Sequence, residues 1–336
     1  MSAAALLVRA LRDPASLPPD CDWTGLICAA RAEQLAGSLA FRLAGHEVPP
    51  RVERLLAMHR ADAERVRVQA LWEAEMARRA LAPLGVPVVL LKGTAFLAAG
   101  LDAGQGRSIG DLDILVPRAS LPEVEQALLE AGWERLKPAE GYDDFYYRTW
   151  MHELPPLIHR ERDRMIDVHH TILPLTARPK PDAEALIASS HALPDGLRVL
   201  CPADIIVHAA AHLIADGDLA GGLRNLWDVD RLLRQFSLRG FEFTVELRER
   251  AWEHGLEDAV ARTLRLARAL YLTPVDDLLA GRARATDRLF LRRLLARDGW
   301  GRQTRSPLRQ GFYLRGHLMR MPPLMLARHL LRKTRG

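Results

Sequence analysis

The stretch VVLLKGTAFLAAGLDAGQGRSIGDLDILVPRA, residues 88–119, contains the pattern that decides the fold. Two short apolar runs, 88–91 and 114–116, flank a Lys-Gly pair, a glycine-bearing loop and the sequence D-L-D. Because alternate residues of a strand share a face, Asp111 and Asp113 would project from the same side of a strand. Two unpartnered carboxylates this close are costly to bury, so the stretch predicts a cation or a strong hydrogen-bond network beside them.

A bridging Mg²⁺ ion would suit this pair, because Mg²⁺ takes oxygen ligands and keeps waters and substrate phosphates as its other ligands. The alternative is a surface turn, Gly110-Asp111, that caps the strand. Asp167 lies within another apolar run, 165–169, and shares a face with His169. If that run pairs with the D-L-D strand, Asp167 brings a third carboxylate to the same cation.

A phosphate-binding turn is predicted upstream, where Lys92, Gly93 and Thr94 follow the first apolar run and open a short helix at 95–101. Such a junction presents backbone N–H groups to an anion, and Thr94 adds a hydroxyl. Alternatively, this is a simple tight turn with Thr94 as the helix N-cap. Arg107, in the loop before D-L-D, suits bidentate phosphate binding or else is solvated.

Local composition and apolar periodicity divide the chain into four segments. Apolar periodicity predicts helices over 1–83, strands with one intervening helix over 84–178, helices again over 179–300, and a basic helical tail over 301–336. A capping-box pattern, Ser120 to Glu123, precedes the intervening helix, and a hairpin is predicted from 151–160 and 165–172. This order predicts an α/β (α+β) architecture, in which a small mixed sheet is flanked by two helical regions.

Three motifs, taken in order, carry a family resemblance: L-L-K-G at 90–93, R-S-I-G-D-L-D-I-L-V at 107–116, and M-I-D-V-H-H at 165–170. They resemble the nucleotidyltransferase superfamily built on the DNA polymerase β palm. Within it, they are similar to the bacterial nucleotidyltransferase-like family with L-K-G, R-x-x-x-D-x-D-x-L-V and D-x-H-W motifs. The similarity spans about residues 20–235, although His170 stands where that family often has Trp.

The resemblance implies a nucleotidyltransferase palm core and phosphoryl-type transfer with two metal ions, Mg²⁺ or Mn²⁺. Asp111 and Asp113 would bind the metal that holds the nucleoside triphosphate, most simply ATP. With Asp167, they would also bind the metal that lowers the pKa of the acceptor hydroxyl. Gly93 and Thr94 would contact the β- and γ-phosphates, and Lys92 or Arg107 would neutralise the leaving pyrophosphate. These last residues form the expected nucleotide-binding set.

The helical region beyond the sheet contributes a second group of candidates. His208 and His212 lie on one helix face, one turn after Asp204, at a spacing that can bind zinc. Alternatively, the two histidines hydrogen-bond within the helical region, or line the cleft with His169 and contact substrate. Arg224 and Asp228, one turn apart, form either a pair that closes that cleft or a plain structural ion pair. Together with His169, these residues are the predicted cleft residues: His169, His208, His212, Arg224 and Asp228.

Charge and cysteine content bear on location and partners. The 36-residue segment 301–336 has no Asp or Glu and nine Arg or Lys residues, so it could contact an anionic membrane surface, or could instead be a helical cap with a solvated basic face. Few aromatic residues accompany these arginines, so the nucleic-acid signal is weak. Three scattered cysteines, no signal-peptide pattern and no long apolar run favour a cytoplasmic protein that could be membrane-peripheral.

The leading hypothesis is a metal-dependent nucleotidyltransferase that moves a nucleoside monophosphate from NTP to an unidentified acceptor hydroxyl on a small molecule, a saccharide or a macromolecule. One alternative is a non-catalytic palm-fold module that binds a nucleotide or a partner, and another is a peripheral membrane protein of a polysaccharide pathway. The sequence has no P-loop, G-x-G-x-x-G or G-x-S-x-G motif.

Overall fold

The computed structural model describes residues 2–136, 142–215, 218–323 and 326. Within these residues, a mixed sheet is surrounded by helices, as the sequence predicts. The N-terminal region contains four helices, of which the last is long and highly charged: α1 Ala3–Arg12, α2 Trp23–Ala32, α3 Ala36–Arg42 and α4 Pro50–Leu81.

Seven strands form the described sheet: β1 Val89–Leu90, β2 Asp111–Leu115, β3 Trp133–Arg135, β4 Leu157–His159, β5 Met165–His169, β6 His191–Ala192 and β7 Arg198–Val199. Their order is β3-β4-β5-β2-β1-β7-β6. β2 lies at the centre, parallel to β5 and antiparallel to β1. Both β1 and β2 carry apolar side chains into the buried core. Because β2 is central, the D-L-D strand has a neighbouring strand on each side.

Four helices connect these strands: α5 Lys92–Ala98, α6 Leu121–Glu130, α7 Tyr142–Trp150 and α8 Ala183–Ala188. The predicted hairpin is confirmed, since β4 and β5 are antiparallel neighbours. The capping box is wrong: Ser120 ends a 3₁₀ turn, and its side chain makes no cap hydrogen bond to α6. The 3₁₀ turn leads directly into α6, so Ser120 does not have the extended backbone of a typical N-cap residue.

Beyond the sheet, the described residues contain six more helices within the predicted range 179–300 and one in the predicted tail: α9 Pro202–Ala215, α10 Gly222–Phe236, α11 Phe241–Glu253, α12 Glu257–Tyr271, α13 Asp277–Ala280, α14 Asp287–Leu294 and α15 Ser306–Arg320. The sequence patterns did not predict β6 and β7, which join the sheet from beyond residue 178. The division of the chain into four segments stays a prediction. Side chains of the N-terminal helices, the sheet and the C-terminal helices share one buried apolar cluster, so the helical regions and the sheet form one continuous core.

The described part of the basic tail is a helix that packs on the rest of the protein. Phe312 of α15 is buried against Phe290, and the Arg315 guanidinium donates to the Ile214 carbonyl over 2.8 Å. Arg302 and Arg309 are exposed. Residues 324, 325 and 327–336, with their arginines, lie outside the described residues, and contact with a membrane surface stays a prediction. No described helix has the length and apolar character needed to cross a bilayer.

Candidate active site

The three predicted carboxylates meet at the centre of the sheet. In the parallel register of β2 and β5, Asp113 lies directly opposite Asp167, and Asp111 lies opposite Met165. One carboxylate oxygen from each of Asp111, Asp113 and Asp167 lies within 4.8 Å of the others. The predicted pairing of these two strands is therefore present, and it brings the three side chains to one face.

The three carboxylates differ sharply in their surroundings. Asp111 is exposed, Asp113 is buried and Asp167 is half-buried. Burial opposes ionisation of Asp113, but the Lys92 ammonium and the His169 hydrogen bond outweigh it and hold its pKa well below the usual range. Burial, together with the negative charges of Asp113 and Glu153, raises the pKa of Asp167 to about 7. The cluster therefore contains more negative charge than its neighbours neutralise.

Lys92 supplies positive charge to this cluster from the start of α5. Its Nζ lies 2.5 Å from Asp113 Oδ1, and its backbone is left-handed, with φ of 49°. The helix begins at Lys92 and ends at Ala98, so the predicted range of 95–101 is wrong. Thr94 consequently lies inside the first turn, buried, and not at the N-cap position. The unusual backbone of Lys92 turns the chain directly from β1 into the helix.

Arg107 is buried beside this turn, so the alternative of a solvated arginine is wrong. Its side chain is 7% exposed, and its Nη2 lies 3.3 Å from Asp228 Oδ2. The guanidinium lies over the Phe96 ring, while Nε and Nη1 have no hydrogen-bond partner among the described residues. A Cβ at Gly93 would lie 2.9 Å from Arg107 Nε, so only glycine leaves the guanidinium this room.

A polar cleft extends from Lys92 and Arg107 to the first two helices of the C-terminal region. The side chains that line it include four predicted cleft residues: His208, His212, Arg224 and Asp228. Burial and the nearby Lys92 ammonium lower the pKa of both histidines, that of His212 to about 3. Both rings are therefore neutral near neutral pH and can donate or accept hydrogen bonds.

The zinc alternative for His208 and His212 finds no third ligand among the described residues. Asp204 instead binds the Arg250 guanidinium and the Ser189 hydroxyl, and the two histidines belong to no group of metal-type ligands in the described part of the chain. His212 Nδ1 lies 3.4 Å from the Asn225 amide nitrogen. Lining the cleft is thus the alternative that the geometry supports.

Asp228 connects the cleft to the core of the site. Its ion pair is with Arg107 of the loop before β2, while Arg224 donates to Gln34 in the N-terminal region. Burial raises the pKa of Asp228, and the charges of Arg107 and Arg224 oppose that rise. The predicted pair of Arg224 and Asp228 is therefore part of a wider arrangement of charges around Arg107.

His169 is not among the residues that line the cleft, contrary to its prediction. It is buried beside the carboxylates, where its Nε2 lies 3.0 Å from Asp113 Oδ1. Glu153 and His152, which the sequence analysis did not single out, lie on its other side. Both residues lie within the predicted hairpin, but placing them beside His169 would have required knowing which residues of its two strands are paired. His170, in the place of the family's Trp, is buried with its Nε2 3.2 Å from the Met151 carbonyl.

Fold and site together define a nucleotidyltransferase: strands carry D-x-D and a third carboxylate to one face, beside a Lys-Gly-Thr turn. A family model described as an uncharacterised nucleotidyltransferase matches residues 19–271, and the chain belongs to this family. It is therefore a transferase of phosphorus-containing groups that uses an NTP. No curated protein matches the sequence.

Proposed function

We propose that the chain is a divalent-metal-dependent nucleotidyltransferase that transfers a nucleoside monophosphate from NTP, with ATP the expected donor, to an acceptor hydroxyl. The observation that supports this most is the approach of Asp111, Asp113 and Asp167 to within 4.8 Å of one another. Asp113 is buried and Asp167 half-buried, so a cation that offsets their charge would lower the cost of placing them together.

The residues fit Mg²⁺ or Mn²⁺. All three side chains offer hard oxygen ligands, which these cations prefer. The raised pKa of Asp167 supports the same conclusion, because burial and then the negative charges of Asp113 and Glu153 raise it, and a bound cation would offset both effects. When bound, divalent cations would neutralise phosphate charge and make the acceptor hydroxyl more acidic.

The residues around the carboxylates supply the remaining functions. Gly93 and Thr94 would contact the β- and γ-phosphates through backbone N–H groups and the Thr94 hydroxyl. Lys92 and Arg107 would neutralise charge on the departing pyrophosphate, since both line the cleft beside the carboxylates. Asp167, half-buried at the edge of the cluster, is the candidate for holding the proton of the acceptor hydroxyl.

The cleft beside these residues is the candidate site for the acceptor. Its lining combines two neutral histidines with the amide of Asn225 and the guanidinium of Arg107. Groups of this kind donate hydrogen bonds to oxygen-rich ligands. The acceptor hydroxyl would have to reach the carboxylates past Lys92, which belongs to both the cleft and the cluster.

Calorimetric titration of ATP into the full chain, with and without Mg²⁺, tests this proposal. We expect binding that requires Mg²⁺ and release of pyrophosphate once an acceptor is supplied. Asp111→Ala and Asp113→Ala should each abolish both while the fold persists, whereas Glu161→Ala, an exposed residue of the β4–β5 turn, should change neither. Metal-independent binding without pyrophosphate release would instead favour a non-catalytic module, and unchanged turnover in either aspartate variant would refute the site.

A further inference from the structure

A second group of metal-type ligands lies next to the three carboxylates and shares none of them. It consists of His152, Glu153 and His169, and one ligand atom of each lies within 4.8 Å of the others. We call it the histidine–glutamate cluster. Unlike the three aspartates, it offers two imidazole nitrogens and one carboxylate, which is a different donor set.

The backbone builds this cluster by extending the antiparallel pairing of the hairpin to residues that precede β4. Leu154 N donates to the Val168 carbonyl over 2.9 Å, and His170 N donates to the His152 carbonyl over 2.9 Å. An antiparallel bridge therefore pairs Glu153 with His169. Side chains of directly opposed residues lie on one face of a sheet within contact distance, so Glu153 and His169 meet there.

The hydrogen bond of His169 fixes which of its nitrogens faces the cluster. Its Nε2 lies 3.0 Å from Asp113 Oδ1, and a carboxylate only accepts, so Nε2 carries the proton. In a neutral ring, Nδ1 then presents a lone pair. This Nδ1 is buried, has no hydrogen-bond partner among the described residues, and lies 3.5 Å from Glu153 Oε2.

His152 approaches the same carboxylate oxygen in the same way, since its Nε2 also lies 3.5 Å from Glu153 Oε2. These separations are long for hydrogen bonds. They match the spacing of neighbouring ligands around one tetrahedral zinc ion, which is about 3.4 Å for metal–ligand bonds of about 2.1 Å. Two of the three separations in the cluster therefore match those between ligands of such a site, and one ligand atom of each residue lies within 4.8 Å of the others.

We propose that His152, Glu153 and His169 bind a transition-metal cation of the zinc class, separate from the divalent cation of the three aspartates. The contact of His169 with Asp113 fits this assignment, because metal-ligating histidines usually donate their other ring N–H to a carboxylate. Mixed nitrogen and oxygen ligands select zinc-like cations over Mg²⁺. The His152 and Glu153 side chains are 21% and 17% exposed, so a cation can enter from that edge, with water as its fourth ligand.

The bound cation would fix the orientation of His169 and, through it, that of Asp113. His169 is then a positioning residue for the nucleotide site. The proposal does not depend on the proposed transfer reaction, because zinc binding is measured without nucleotide or acceptor. Failure of the one and failure of the other are therefore distinguishable.

The test is metal binding by the full chain, stripped with a chelator and then titrated with Zn²⁺ or with Co²⁺, whose visible absorption reports four-coordination and nitrogen ligands. We expect one tightly bound Zn²⁺ per chain and a tetrahedral Co²⁺ spectrum. His152→Ala and Glu153→Ala should each weaken Zn²⁺ binding at least tenfold and remove that spectrum. Asp111→Asn, in the carboxylate site, and His191→Ala, an exposed histidine, should leave both unchanged.

The proposal would be overturned by the absence of stoichiometric Zn²⁺ from the wild-type chain, or by Zn²⁺ binding that His152→Ala and Glu153→Ala leave unaffected. Circular dichroism checks that each variant is folded. Glu153→Gln keeps the size of the side chain and removes its charge, so it replaces Glu153→Ala if the latter unfolds. Loss of Zn²⁺ binding in Asp111→Asn as well would assign the ion to the three aspartates and contradict the separate site.

Discussion

At the scale of single residues, the site concentrates negative charge where the sheet is buried. Lys92 and His169 keep Asp113 ionised, and the consequence appears at Asp167, whose pKa rises to about 7 because of burial and the charge of Asp113. A folded protein that holds such a carboxylate is less stable than one without it. Under the proposed function, a bound cation would offset this cost.

Asp167→Asn should therefore stabilise the protein in the presence of EDTA. Between an ordinary carboxyl pKa of about 4 and the folded value of about 7, the folded state holds a proton that the unfolded state has released, so wild-type stability falls as pH rises through this window. Urea unfolding should show the variant more stable by about 2 kcal/mol at about pH 7.5, with no advantage at about pH 4.

The control for this prediction is Glu161→Gln, which removes one negative charge at an exposed position and should leave stability within about 0.5 kcal/mol of wild type. A saturating concentration of Mg²⁺ should cancel the advantage of Asp167→Asn, because the asparagine amide binds the cation more weakly. If the variant were less stable than wild type at every pH in EDTA, the charge argument for the cluster would be wrong.

Gly93 gives a second prediction at this scale. A Cβ at Gly93 would lie 2.9 Å from Arg107 Nε and 3.0 Å from Ile109 Cγ1, so Gly93→Ala should displace the guanidinium and weaken Mg-ATP binding about tenfold. Gly110→Ala, in the same segment, is the matched control, since its Cβ meets nothing within 4 Å. Calorimetry compares the two, and equal affinities would remove Arg107 from the nucleotide site.

The sequence predicted the parts of the site that local patterns determine. The period of two along a strand placed Asp111 and Asp113 on one face, and the apolar run around Asp167 predicted the neighbouring strand. Long-range pairs could not be predicted this way: the partner of Arg107 is Asp228, on a helix more than a hundred residues later in the chain. Glu153 lies within the predicted hairpin strand 151–160, but its pairing with His169 could not be predicted because the register of the hairpin was unknown.

At the scale of elements, buried ion pairs hold the C-terminal helices in place beside the cleft. Asp204 of α9 accepts two hydrogen bonds from Arg250 of α11, over 2.8 and 2.6 Å, and one from Ser189 at the end of α8. Asp204 is fully buried. This carboxylate, which resembled a zinc ligand in the sequence, therefore fixes the helix that carries His208 and His212.

Asp204→Ala should lower the free energy of unfolding by about 3 kcal/mol, because it leaves the Arg250 guanidinium partly buried without its carboxylate. Asp62→Ala removes the exposed Arg65–Asp62 pair within α4 and should cost less than about 1 kcal/mol. Urea unfolding of both variants makes the comparison. Similar losses in the two would mean that the buried network contributes no more than a surface pair.

At the scale of the whole molecule, the two helical regions complete a site that the sheet only begins. The sheet supplies the carboxylates and the Lys-Gly-Thr turn, α9 and α10 supply the cleft, and Gln34 of the N-terminal region contacts Arg224 at its edge. We therefore propose that residues outside the palm core select the acceptor. Contact of the tail with an anionic surface stays a prediction, which flotation with anionic liposomes of wild type against an Arg302→Glu, Arg309→Glu variant would check.

The central claim is that Asp111, Asp113 and Asp167 hold the divalent cation of the nucleotide. The most direct measurement is anomalous diffraction from crystals grown with Mn²⁺ and a non-hydrolysable ATP analogue. We predict Mn²⁺ bonded to these carboxylates at about 2 Å, with the triphosphate against Gly93 and Thr94. A nucleotide bound elsewhere, or Mn²⁺ absent from the three carboxylates in such crystals, would contradict the account.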